Sequence, residues 1–418
     1  MTRIVLFGVA AALLAALGAP ATAQEAATYT LAQAVAAAVE RNPQVRAAEQ
    51  SVRAAEARAQ ALRAALLPSV SLSATGGVSG GTGVVNTSGQ VGAGVSYLVY
   101  DGGLREAQIR QAEAQAQAAR ENLAAVRSDV ALAAVQAFIG VVAAERFITV
   151  REQAVAQARG QVDAAQAGFR AGTLPQSDVL RALSQLASAE VELIEARALA
   201  DTRRVALRAV LALGAAAPIA VVPPEPPPAL EVSQQEALQR AGGRPEVRRS
   251  EADVRAAEAS LAAAMIAGGI TVTLDGRYVL VATGGSSGTW SVGAAISLPV
   301  YDGGRKQAQV EEARAALEAA RARLEQIRLQ VQQEAVQAHL ALLSAVAREQ
   351  ASQRALAAAR EAHRVAEGRY RAGVGTILEV ATARTELTAA EVSALQAAAD
   401  RWTVLAALRR AMAMPVLP

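Results

Sequence analysis

Apolar and polar positions along the chain follow two rhythms. Residues 44–66 and 246–266, 104–170 and 305–371, and about 176–212 and 376–412 are rich in Ala, Gln, Glu, Arg and Leu, all strong helix formers. In 104–170 the larger apolar side chains fall at Leu123, Val126, Val130, Phe138, Ile139 and Val142, a helical stripe rather than an all-apolar core. The many alanines let neighbouring helices approach closely, which predicts a coiled-coil-like assembly. A helix of 67 residues spans roughly 100 Å, and flanking helices of about 23 and 37 residues span roughly 35 and 55 Å. One continuous helix can therefore lie antiparallel to two stacked ones. The prediction is a rod.

The second rhythm has period two. In "QVGAGVSYLVY", Val91, Ala93, Val95, Tyr97 and Val99 share one face, opposite Gly92, Gly94 and Ser96. In "TVTLDGRYVLVA", Val272, Leu274, Tyr278 and Leu280 oppose Thr271, Thr273, Asp275 and Arg277. "SVGAAISLPV" (Ser291–Val300) and the shorter "SVSLSA" (Ser69–Ala74) alternate likewise. Such segments, apolar on one face and small-polar on the other, suit transmembrane β-strands. A half-buried soluble sheet has the same alternation.

The elements occur twice in the same order. "YDGG" stands at Tyr100-Asp101-Gly102-Gly103 and at Tyr301-Asp302-Gly303-Gly304, 201 positions apart. "FRAG" (Phe169–Gly172) and "YRAG" (Tyr370–Gly373) keep that offset, while "VRAAEA" at Val52 and at Val254 differs by 202. The slip falls in a Gly/Ser-rich zone, where loops absorb length changes. An internal duplication follows, with repeats at 24–222 and 232–418. The proline-rich 223–231 (Pro223–Pro228 reads "PPEPPP") forms a stiff linker between them.

A glycine turn between strand and helix can hold a phosphate, yet each YDGG precedes a helix of nearly 70 residues, and the strand before it alternates. Neither suits a nucleotide-binding βαβ unit. Asp101 and Asp302 are expected to cap the long helices, and the glycines let the chain bend from strand to helix.

Composition narrows the setting. Arg3, the apolar run Ile4–Leu17 and Ala21-Thr22-Ala23 read as a secretory signal over residues 1–23. No long apolar helix is expected beyond it. The chain has no cysteine, which excludes disulfides, thiolate metal sites and cysteine nucleophiles. Its two histidines, His339 and His363, are read as ordinary helix-surface residues. The 41 basic and 38 acidic residues are interleaved, as on solvated helix faces. Neither a basic cluster nor an aromatic series supports nucleic-acid binding. No nucleophile elbow, zinc spacing or P-loop points to an enzyme, and no cofactor or metal is expected. Five of the eight Tyr and Trp residues (Tyr97, Tyr100, Tyr278, Trp290 and Tyr301) fall in the strand zones or at YDGG, placed as interfacial anchors would be. Four strands cannot close a barrel alone. An oligomer must supply the rest.

The duplication, "PVYDGG" (Pro299–Gly304) with its partner "LVYDGG" (Leu98–Gly103), and the paired RAG turns make the mature chain resemble the TolC family of outer-membrane efflux proteins. The resemblance implies an α+β membrane protein. In it a homotrimer builds one twelve-stranded transmembrane β-barrel, four strands per chain, continued by a long periplasmic α-helical barrel. It implies a passive exit duct in the cell outer membrane, serving an efflux or type I secretion system. The partners implied are outer-membrane lipid, a periplasmic adaptor and an inner-membrane transporter. Leu98, where the second copy has Pro299, departs from the pattern.

The family closes its periplasmic end near the RAG turns, where acidic residues can form a ring. The matching positions are Asp178 and Glu379, with Thr382 where a second acid stands in TolC. Charged rings select ions; a carboxylate near a helix N-terminus is also favoured by the dipole alone. The family also places adaptor docking at the tips, which implicates Arg170, Gly172, Arg371 and Gly373. A structural coiled-coil protein of the periplasm or cell surface is the competing reading. It leaves the four alternating runs unexplained.

Overall fold

A computed structural model describes residues 27–81, 84–282 and 286–417; the expected signal, 1–23, lies outside the described residues. In chain order the first elements are β1 (Ala27–Tyr29), α1 (Leu31–Arg41), α2 (Pro43–Ala64), β2 (Ser69–Gly81), β3 (Val84–Tyr100), α3 (Leu104–Arg170) and α4 (Gln176–Val210). There follow β4 (Ile219–Val221), α5 (Gln234–Ala241), α6 (Pro245–Ile266), β5 (Thr271–Ala282), β6 (Ser286–Ser297), α7 (Arg305–Arg371) and α8 (Ile377–Ala411). The long helices α3 and α7 both have 67 residues, and α4 and α8 both have 35.

Local chemistry sets the helix ends. Thr30 and Gln33 form a capping box on α1, and Asn42 caps α2 ahead of Pro43, satisfying N–H groups that have no helical acceptor. After α3 the Gly172 N–H donates to the Phe169 carbonyl and the Thr173 N–H to that of Gly168. After α7, Gly373 and Val374 donate to Tyr370 and Arg369 in the same pattern. Both glycines have positive φ, 71° and 74°, the left-handed cap that only glycine adopts without strain.

The helices pair antiparallel through ion pairs seven residues apart. Arg63–Glu113, Glu56–Arg120 and Glu49–Arg127 join α2 to α3. Glu145–Arg204, Glu152–Arg197 and Arg159–Glu190 join α4 to the other half of α3. Arg321–Glu258 and Arg328–Glu251 continue the pattern between α6 and α7. Each exposed pair contributes little, about 0–1 kcal/mol, but a rung every seven residues keeps the register. Helices α2 and α4 thus stack end to end beside α3. Where they meet, Asn42 Nδ2 donates to the Val210 carbonyl at 3.3 Å.

Most of the core lies near this meeting point. Val130, Val135, Phe138, Ile139 and Val141 of α3 pack with Ala34 and Ala38 of α1 and with Leu207 and Leu211. Leu123, Val126 and Val142 are partly buried against the same cluster. Contrary to the sequence expectation, α3 carries an 18-residue window apolar enough to cross a membrane. The apolar side chains Val130, Val135, Phe138, Ile139 and Val141 of α3 are buried core residues in the cluster with α1.

The four long strands form one antiparallel sheet in the order β2-β3-β5-β6. Strand β2 extends past the expected Ala74 to Gly81, because β3 pairs with it through the glycine-rich stretch as far as Val84. Strand β6 runs from Ser286 and stops at Ser297, short of the expected Val300, since Pro299 has no N–H to give a ladder. Near its end β3 bulges, so that Tyr100 and not Val99 pairs with Val272. A bulge re-aims side chains, and here it puts Tyr100 on the apolar face. His339 also departs from expectation: it is buried on the inward stripe of α7 with Val331, Ala335 and Leu342.

Arg244 is buried at the start of α6. It bonds Glu246 at 2.6 Å and Glu334 of α7 at 2.5 Å, while Arg410 of α8 reaches both Glu246 and Asp129 of α3. Removing one member of a buried pair leaves an uncompensated charge, at a cost of about 3–5 kcal/mol. Arg244→Met should accordingly lower the temperature at which the folded protein loses its near-UV circular dichroism. Arg321→Met, on an exposed rung, should scarcely move it.

Candidate functional site: two joints and a four-helix tip

At the first joint Asp101 is almost fully buried (5 % exposed). Its Oδ1 accepts from the Gly103 N–H at 3.1 Å and its Oδ2 from the Arg105 N–H at 3.0 Å. Arg105 Nε closes on Oδ2 at 2.9 Å, and Arg105 Nη1 donates to the Ala65 carbonyl at the end of α2. The second joint repeats the cap: Asp302 accepts from the N–H groups of Gly304 at 3.0 Å and Lys306 at 2.8 Å. The formal N-cap residues are Gly103 and Gly304, at φ 90° and 85°, so each aspartate caps from two residues upstream. A protein carboxylate already fills each helix N-terminus. The N–H groups that a phosphate would need are taken.

Burial works to raise the Asp101 pKa. The Arg105 N–H and guanidinium and the Gly103 N–H outweigh it, so the net shift is downward. Asp302 is held low by the Lys306 and Gly304 N–H groups. The joints differ in cover: Gly102 lies against Ile266 of α6, whereas Tyr301 and Val300 stand exposed.

At the far end, the turn between α3 and α4 and the turn between α7 and α8 form the tip. Between the two hairpins lies a cavity of about 460 Å³, lined by Asp178 and Arg181 of α4, His363, Glu367 and Arg371 of α7, and Arg384 of α8. Asp178 therefore faces the seam between hairpins. Glu379 is exposed outside that lining, its N–H capped by Thr376 Oγ1 at 3.2 Å and its carboxylate 4.0 Å from the Arg369 guanidinium. Thr382 is exposed as well. Within one chain Glu379 does not line the cavity that Asp178 lines. Arg170 bonds back to the Gln166 carbonyl at 3.4 Å and Arg371 to Glu367 at 2.5 Å, while Gly172 and Gly373 face open space.

Arg384 escaped the sequence reading, and His363, expected on an ordinary helix surface, lines the cavity instead. Arg384 Nη2 donates to the Ala154 carbonyl at 2.9 Å, tying α8 to α3; desolvation lowers its pKa, against the pull of Glu391. The available signal was the repeat itself, since the position 201 residues earlier is Leu183. His363, half-buried in the cavity, stands where the first repeat has the buried Val162.

A sequence profile described as "Outer membrane efflux protein" matches residues 34–213 and again 234–414. The chain belongs to that family. As a member it is an exit channel of the outer membrane, its helices extending into the periplasm. It is 30% identical over 403 residues to Protein CyaE of Bordetella pertussis, covering 91% of this chain and 83% of that protein. It is 27% identical over 400 residues to the outer membrane efflux protein BepC of Brucella suis, covering 94% and 87%. The CmeC outer membrane channel of Campylobacter jejuni superposes with a TM-score of 0.82 at 18% identity, over 91% of this chain and 85% of that one. At that identity the likeness speaks for the fold alone.

The lowered Asp101 pKa has a signed consequence for this channel's joint. A depressed carboxylate contributes stability that is complete above its unfolded value, about 3.9, and is lost as pH falls through the lowered folded value. Asp101→Asn should remove that pH dependence and, as for other lost caps, cost about 1–2 kcal/mol. Faster hydrogen exchange at the Gly103 and Arg105 amides would register the loss. The exposed Asp302→Asn should have the smaller effect.

Proposed function

We propose that the chain is a passive trimeric exit duct, with twelve strands closing one barrel and the helices continuing as a periplasmic tunnel. The observation that carries the reading is the open sheet. Its terminal strands β2 and β6 have no further neighbour among the described residues, and its apolar face runs through Val70, Leu72, Val95, Leu274, Trp290 and Val292, all exposed. An apolar sheet with open edges needs both lipid and partner strands. Because β2 and β6 run in opposite directions, β6 of one copy can pair antiparallel with β2 of the next.

In this reading residues 1–23 direct export, 24–222 and 232–418 are the two repeats, and 223–231 links them. The matched helix lengths, the double profile match and the left-handed alanines Ala212 and Ala413, again 201 apart, support the duplication. The duct has no catalytic centre; an inner-membrane transporter drives export through a periplasmic adaptor. Arg170, Gly172, Arg371 and Gly373 form the adaptor-docking tip. Glu379, with Asp178 and Thr382, sets the electrostatics of the closed end, and Arg369 partly offsets Glu379.

A heat-modifiable, detergent-requiring trimer is expected on extraction, and a water-soluble rod would overturn the channel reading. In planar bilayers Glu379→Gln should reduce cation selectivity. Unchanged selectivity would remove Glu379 from the gate. Crosslinks from position 172 or 373 to the cognate adaptor in cells test the docking tip.

A further inference from the structure

The four strands carry two charged side chains among their described residues, Asp275 and Arg277, both on β5. They lie two residues apart, so they share a face. The register shows which face. Arg277 sits between Gly94 of β3 and Ser291 of β6, and Asp275 between Ser96 and Gly293. Ser71 and Ser69 of β2 continue the same rows, opposite Gly94 and Ser96. Asp275 and Arg277 are both exposed, and neither has a hydrogen-bond or ion-pair partner among the described residues. The opposite face bears Tyr97, Leu274, Tyr278, Trp290 and Val292.

An arginine on a lipid-facing strand position costs about 2–4 kcal/mol at the bilayer midplane, so this face must meet water. Glycine and serine on both sides leave the two side chains standing clear of the wall. Strand β5 starts at the joint end with Thr271 and runs outward. Asp275 is thus nearer the periplasm, and Arg277 follows about 7 Å further out. That spacing is within one Debye length, about 8 Å at physiological salt, so salt does not screen one level from the other and both act on the same passing ion.

We propose that Asp275 and Arg277 form a charge filter inside the barrel lumen, an acidic level beneath a basic one, which sets the ionic preference of the barrel separately from the periplasmic tip. The proposal rests on the trimeric barrel reading, in which each level holds three identical charges. Arg277 disfavours cationic solutes at the outer level, and Asp275 favours them at the inner one. Charged rings act this way in other pores.

The absence of native cysteine makes a direct test possible on the full-length protein in outer-membrane vesicles. A single thiol is introduced by Asp275→Cys or, as a lipid-face control, by Val292→Cys. Each is exposed to a cationic (trimethylammonium) and an anionic (sulfonate) methanethiosulfonate reagent. The thiol at 275 should react with both, and the one at 292 should be protected. Adding Arg277→Gln should raise the cationic-to-anionic rate ratio at position 275 several-fold, and Arg277→Lys should leave it near the parent value. Heat-modifiable trimer on gels reports folding of every variant, and Arg277→Ser replaces Arg277→Gln if that one fails to assemble. Labelling at 275 with a ratio indifferent to position 277 overturns the filter while the barrel stands. Labelling at 292 but not at 275 inverts the faces and overturns the filter. Failure of the parent protein to form a membrane-embedded trimer overturns the barrel and the filter together.

Discussion

Register between antiparallel helices is the constraint on which this structure depends. An alanine-rich surface offers close approach but few distinctive shapes, and α3 alone buries ten alanines along its length. Such a surface could slide by a turn at little cost. The rungs at seven-residue spacing oppose that slip, because moving α2 by one turn along α3 separates Glu49, Glu56 and Arg63 from their partners together. Each rung is weak and solvated. Their shared spacing makes them cooperative in register if not in energy.

Once register is held, the ends of the helices become fixed points. Asn42 joins the start of α2 to the end of α4, and the buried Arg244 ties the start of α6 to α7. Asp101 and Asp302 do the same where sheet becomes helix, occupying N–H groups that would otherwise attract an anion. The geometry of the sheet is in this way passed on to helices roughly 100 Å long, as the rise of a 67-residue helix requires.

The two ends of the molecule place their charges differently. At the tip, Asp178 and Arg384 lie in the seam between hairpins while Glu379 stands outside it. In the sheet, Asp275 and Arg277 stand alone on a small-residue face. The tip keeps its charges among helical partners, and the sheet sets them on paired strands.

Much of this was legible in the chain itself, because period, repeat offset and turn residues are local properties. The bounds of α3 and α7, the glycine caps at Gly172 and Gly373, and the aspartate caps came from pattern and spacing. Residues whose surroundings come from distant segments were not legible. His339 reads as a surface residue until α7 is seen to turn that stripe inward, and Arg384 reads as one more helix arginine until α3 brings the Ala154 carbonyl to it. The length of β2 depended on its partner strand, and the bulge at Val99 on the pairing of β3 with β5. Sequence by itself determined which elements form and how often they recur, since backbone propensity and amphipathic period act within a few residues. Only the tertiary structure decided which charges are buried, which are paired and which face each presents, since desolvation and ion pairing depend on neighbours that lie tens to hundreds of residues away.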